Sequence, residues 1–187
     1  MELKEIYSRL SEHMINGMMI HEQMANYYGF LGLDGYRRCH EYHFLAETKN
    51  YRKLNGYFIH HHNMLIPETR FDSPEIIPES WYEHTRQDVD AGTKKNAVKN
   101  GLEKWVSWEK DTKHLYEDMY KELMDIGEVA SACFINCFIK DVDKELKKAE
   151  KYHLNKEALG YDIHAIISDQ DKMHDKYKKK CKKVSHD

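Results

Sequence analysis

The chain has 187 residues, of which 41% are hydrophobic and 33% are charged, and its formal net charge is -3. This length is sufficient to bury the core of one domain, and the composition is not that of a disordered chain. The near-neutral charge gives no overall field that would draw the protein to nucleic acid or to an anionic membrane, and no apolar run approaches the roughly 20 residues that cross a bilayer. Because there are only 9 Gly and 3 Pro, long helices are favoured over a many-turned β fold.

Two helical patterns come first along the chain. Apolar residues recur at steps of three and four over about residues 2–31, which places them on one helix face. The run 32–35, Gly-Leu-Asp-Gly, breaks this pattern. A second helix is predicted at about residues 34–62, and its inward stripe is unexpectedly polar, since it includes His40, His43, Glu47 and Asn50.

A connection without helical periodicity follows at about residues 63–91, and it contains all 3 prolines of the chain. Two further helices are predicted at about residues 91–125 and 128–153, and a shorter one at about residues 159–180. Short turns make neighbouring helices antiparallel, whereas a long connection can run the length of a bundle. The pattern therefore predicts an all-α four-helix bundle with one long crossover.

The predicted bundle occupies residues 1–153, and residues 154–187 form a short C-terminal helix with a lysine-rich tail. This tail carries six lysines between Lys176 and Lys183. Lysines at the end of a helix complement its dipole and keep the end soluble, so we expect this role rather than contacts with nucleic acid. The four cysteines are too few and too scattered for a disulfide framework, which favours a cytoplasmic location.

Two carboxylates lie on inward stripes, Glu47 on the second predicted helix and Glu109 on the third. A carboxylate inside a core requires a cation, a hydrogen-bond partner or a proton. In helical bundles, inward carboxylates from facing helices can hold a metal ion between them. One alternative is a metal-free polar core in which both residues hydrogen-bond to His21, His43, Asn50 or nearby tyrosines.

Five segments then resemble the ferritins, and in particular the bacterial non-haem ferritins. They are the turn Gly32–Tyr36, the second-helix stretch Ala46–Leu54, the run Leu65-Ile66-Pro67, the third-helix run Trp108-Glu109-Lys110 and the fourth-helix opening Phe134–Ile139. Their order and spacing match those of the family. The resemblance implies a ferritin-like fold, a homo-oligomer and a metal centre inside the bundle.

The implied di-metal centre is degenerate. At positions where the family has a first-helix Glu, a second-helix His and a fourth-helix Gln, this chain has Met14, Asn50 and Val142. The resemblance implies that three carboxylates remain as ligands, Glu47, Glu109 and Glu145. Either His43 or His21 can add a nitrogen ligand. We therefore expect at most one iron or other divalent ion per chain, and impaired ferroxidase activity.

Three other functions remain open at this point. A metal-free structural or interaction protein would keep the bundle as a subunit of an oligomer. A ferritin with rearranged ligands would still oxidise and store iron. A DNA-binding relative of the ferritins would use the C-terminal lysines on phosphates.

Overall fold

The computed structural model describes residues 2–66, 85 and 89–184, and within these residues the chain forms five α-helices and no strand. The helices are α1 (Leu3–Phe30), α2 (Asp34–His62), α3 (Ala91–Asp125), α4 (Val129–Ala158) and α5 (Ile163–Val184). Most of the predicted crossover, including its prolines, lies outside the described residues. Among the helices described, none has the length and apolar character needed to cross a membrane.

The helices form two antiparallel pairs, α1 with α2 and α3 with α4, and α1 also contacts α3. Gly32 allows the tight turn after α1, because its φ of +69° is a left-handed conformation that favours glycine. At the start of α3, the carboxylate of Asp90 accepts a hydrogen bond from the Thr93 amide at 2.6 Å. This contact satisfies one of the free amides of the first turn.

The end of α4 differs from the sequence prediction. The helix continues beyond His153 to Ala158, because the intervening residues carry no breaker. The chain turns instead at Gly160, whose φ of +58° lies in the left-handed region. The fifth helix accordingly begins at Ile163 and runs to Val184.

Helix α5 packs along α2 and also contacts α3. Its buried side chains Ile166, Met173 and Tyr177 belong to the same apolar cluster as Cys39 and Trp105. The short C-terminal helix of the prediction is therefore part of the core rather than a loosely attached end.

The core consists of two apolar clusters at opposite ends of the bundle. One contains Tyr28, Tyr36 and Trp105, and the other contains Tyr7 and Phe58. Between them, near the middle of the helices, lie buried polar side chains, namely His21, His40, His43, Glu109 and Thr112. Apolar burial at both ends holds the helices together while this middle layer remains polar.

Candidate metal centre

A cavity of about 270 Å³ lies in the middle layer between α2, α3 and α4. Each of the three helices contributes one of the predicted carboxylates to its lining, Glu47 from α2, Glu109 from α3 and Glu145 from α4. His43 also lines the cavity. The structure thus brings together four of the five predicted site residues, and their binding of a metal stays a prediction.

Glu109 is the most deeply buried of these carboxylates, with 5% of its surface exposed. The Trp105 indole N–H donates a hydrogen bond to its Oε1 atom at 2.9 Å. Burial nevertheless raises the pKa of Glu109 to about 7, since desolvation outweighs the hydrogen bond. Trp105, which the sequence suggests only as a packing residue, therefore also orients this carboxyl group.

Glu47 lines the same cavity, and its side chain is partly exposed. Desolvation, followed by the charges of Glu109 and Glu145, raises the pKa of Glu47 to about 8. Asn50, one turn later on α2, hydrogen-bonds to its side chain. Near neutral pH, then, the carboxyl group of Glu47 is mainly protonated in the absence of a metal and that of Glu109 is about half protonated.

Glu145 has a different partner, the ammonium group of Lys148 one turn further along α4. The Lys148 Nζ atom lies 2.5 Å from Glu145 Oε2 and 3.1 Å from His43 Nε2. The sequence gives no signal for this role, because Lys147 and Lys148 form a lysine pair typical of a solvated helix face. Only the rotation of α4 about its own axis determines that Lys148 points inward and Lys147 outward.

Of the two histidines expected as nitrogen ligands, His43 and His21, the structure places only the first at the cavity. His21 does not line the cavity; its Nδ1 atom lies 3.0 Å from His40 Nδ1, so one ring donates a hydrogen bond and the other accepts it. Burial lowers the pKa of His21 to about 3 and holds the pKa of His40 and His43 well below their usual range. His21 is therefore paired with another histidine, and only His43 is placed to supply a nitrogen ligand.

The three positions at which this chain lacks a ligand of the family carry uncharged side chains. Met14 is fully buried in the apolar cluster around Tyr7, while Asn50 and Val142 line the cavity. In the part of the chain that the structure describes, no three His, Cys, Asp or Glu side chains are arranged to hold a metal ion. Glu145, moreover, is engaged by Lys148, so the binding of any metal ion in this cavity stays a prediction.

Solved ferritin structures have a similar fold. A humanized archaeal ferritin matches with a TM-score of 0.73 and 14% identity, over 91% of this chain and 94% of that one. A closed form of the Archaeoglobus fulgidus ferritin, engineered by site-directed mutagenesis, matches with a TM-score of 0.73 and 13% identity, over 93% and 96% of the two chains. The open-pore ferritin of the same archaeon gives a TM-score of 0.72 and 14% identity, over 91% and 93%.

No protein-family model matches the chain, and no curated protein matches it in sequence. The similarity to the solved ferritins extends over nearly the whole of each chain. The protein therefore has the all-α, ferritin-like fold, as the sequence predicts. At this level of identity the likeness establishes the fold alone, since one fold can carry different functions.

Proposed function

We propose that this chain is a ferritin-like protein with a degenerate di-metal centre. It binds at most one iron or other divalent ion, through Glu47, Glu109 and Glu145, and is not an efficient iron-oxidising enzyme. The observation that carries this proposal is that carboxyl groups from three helices, among them Glu47, Glu109 and Glu145, line one cavity. Oxygen ligands of this kind suit hard and borderline divalent ions.

The charge in the cavity argues against a second ion. Met14, Asn50 and Val142 supply no negative charge, and the ammonium of Lys148 neutralises Glu145. Asp141 also lines the cavity, but it pairs with Lys144 at 2.8 Å. Two adjacent divalent ions would therefore share Glu47 and Glu109 as their main anionic ligands. Two carboxylates balance only half of the four positive charges of such a pair of ions in a partly buried cavity.

Counting bound metal tests the proposal. Untagged protein, incubated with ferrous iron without oxygen and then desalted, should retain at most one ion per chain. Any retained ion should be lost in Glu47→Ala, because this substitution removes the α2 ligand. It should persist in Glu150→Gln, a control on α4 whose carboxylate pairs with Lys110 at 3.8 Å outside the cavity. Two ions per chain, with rapid oxygen-dependent oxidation of the iron, would contradict the proposal.

The second candidate is a metal-free structural or interaction protein. It is favoured by the ion pair between Lys148 and Glu145, which satisfies one cavity carboxylate without any metal. This candidate predicts a complete absence of retained iron in the same experiment. The four free thiols are compatible with the cytoplasmic location that both candidates share.

We further propose that the chain forms a homo-oligomer in either case. The ferritin resemblance supports this proposal, as does the description of one related structure as having an open pore. Sedimentation velocity of the purified chain should give one species with a mass that is a multiple of the monomer mass. A monomer at all accessible concentrations would contradict it.

A further inference from the structure

We propose that the Lys148 ammonium, held on two residues that line the cavity, Glu145 and His43, weakens the binding of a divalent ion there. The inference rests on the proposed function, in which the cavity carboxylates form a single-ion site. It identifies Lys148 as the residue that distinguishes this cavity from a metal centre with unoccupied ligands.

The contacts of Lys148 place its charge on two of the expected ligands at once. Its Nζ atom donates to Glu145 Oε2 at 2.5 Å and to His43 Nε2 at 3.1 Å. These two acceptor atoms are themselves only 3.7 Å apart, so they face a common point. A metal ion using Glu145 and His43 would need the same lone pairs that the ammonium now engages.

Aromatic rings hold the ammonium in this position. The Lys148 Nζ atom lies 5.6 Å from the Tyr42 ring centroid, 5.5 Å from that of Trp105 and 5.3 Å from that of Tyr177. Such cation–π contacts are stronger when the cation is partly shielded from water, and only 18% of the Lys148 side chain is exposed. These rings come from α2, α3 and α5, so three helices fix the lysine.

The neighbouring lysine provides the contrast. Lys147 is 73% exposed, and its ammonium pairs with Asp143 at 2.5 Å on the outside of α4. It carries the same charge and directly precedes Lys148 on α4, but its partner is Asp143, which does not line the cavity. Lys147 is therefore a matched control for the removal of one positive charge from this part of the chain.

For a divalent ion to bind, Lys148 must leave Glu145, His43 and the aromatic rings, or two positive charges must lie within a few ångströms of each other. Both alternatives oppose binding. Lys148→Met keeps the hydrophobic stem against the rings but removes the charge. It leaves the Glu145 carboxylate and the His43 nitrogen available to a metal.

The experiment is a titration of metal-free protein with Co²⁺, followed by calorimetry and by the visible absorption of the bound ion. Wild type and Lys147→Met should bind Co²⁺ weakly, with equal affinity. Lys148→Met should bind one ion per chain about a hundredfold more tightly, as expected for the loss of a nearby like charge. Adding Glu145→Gln to Lys148→Met should abolish the gain. Circular dichroism of each metal-free variant confirms folding, and Lys148→Gln replaces Lys148→Met if the latter does not fold.

Equal affinity of wild type and Lys148→Met for a single ion would overturn the role of Lys148 while leaving the proposed single-ion site intact. Binding of two ions by wild type would instead overturn the proposed function. If Lys148→Met and Lys148→Gln both fold and neither binds Co²⁺, the cavity is not closed by Lys148, and the inference fails.

Discussion

Gly35→Ala should lower the free energy of unfolding by about 1–3 kcal/mol, the range expected when extra volume is forced into a packed contact. A Cβ atom at residue 35 would lie 2.5 Å from the carbonyl oxygen of Gln170 and 2.9 Å from its Cα atom. Both are backbone atoms of α5, so no side chain can rotate to make room. The substitution should therefore push α5 away from the start of α2, where the Gly35 amide donates to Gln170 Oε1 at 2.8 Å.

Urea denaturation and limited proteolysis measure the two consequences, the loss of stability and the exposure of α5. Gly56→Ala is the control on the same helix, because no atom lies within 4 Å of its Cβ position. This control should be stabilised by about 0.5–1 kcal/mol, since alanine has the better helix propensity. A Gly35→Ala protein as stable as wild type, with α5 equally protected, would show that the two helices are not in this close contact.

The free energy of unfolding of the metal-free protein should reach a maximum at about pH 6–7 and decrease on both sides. On the acid side the cause is the set of buried histidines. The pKa of His21 falls from 6.5 to about 3 on folding, and the pKa of His40 and His43 is also strongly lowered. Below pH 6.5 the unfolded chain takes up these protons and the folded chain does not, so stability falls by about 1.4 kcal/mol per pH unit for each histidine.

On the alkaline side the cause is the pair of protonated carboxyl groups. The pKa of Glu47 rises from 4.5 to about 8 on folding, and that of Glu109 rises to about 7. Their contribution is fully present below pH 4.5 and is lost as the pH rises through these values, because the unfolded chain has already released the protons. Between pH 4.5 and 6.5, the contribution of these two carboxyl groups to the free energy of unfolding increases as the pH falls, whereas the contribution of the three histidines decreases. The net loss of stability on the acid side is therefore less steep.

Urea denaturation at a series of pH values gives this profile, and Glu47→Gln separates its two limbs. The amide cannot ionise, so the decrease above pH 7 should become smaller, and the acid limb between pH 4.5 and 6.5 should become steeper because one of the two opposing groups is gone. The ammonium of Lys148 contacts both Glu145 and His43. Stability that does not change between pH 5 and pH 9 would contradict the burial of these groups in the folded chain.

The helices and the inward position of the carboxylates could be predicted from the sequence. Apolar residues at steps of three and four fix which face of each helix is buried, and Glu47 and Glu109 lie on those faces. Glu145 was expected only from the ferritin resemblance, and the structure places it on the same cavity. Periodicity is thus sufficient to locate residues whose environment is set by their own helix.

Features that depend on two helices at once could not be predicted. Lys148 lies next to another lysine, and only the packing of α4 against α2 brings it to His43. The pairing of His21 with His40 likewise depends on how α1 and α2 are aligned. The docking of α5 on α2 depends on the absence of a side chain at Gly35, which the sequence suggests only as a turn residue.

The most direct test of the degenerate centre is anomalous diffraction from crystals of wild-type protein soaked with ferrous iron under anaerobic conditions. We expect no more than one iron position per chain, within the cavity lined by Glu47, Glu109 and Glu145. Wherever that position is empty, we expect Lys148 to contact Glu145. Two iron positions separated by about 3.5–4 Å, the spacing of a working two-metal site, would contradict it.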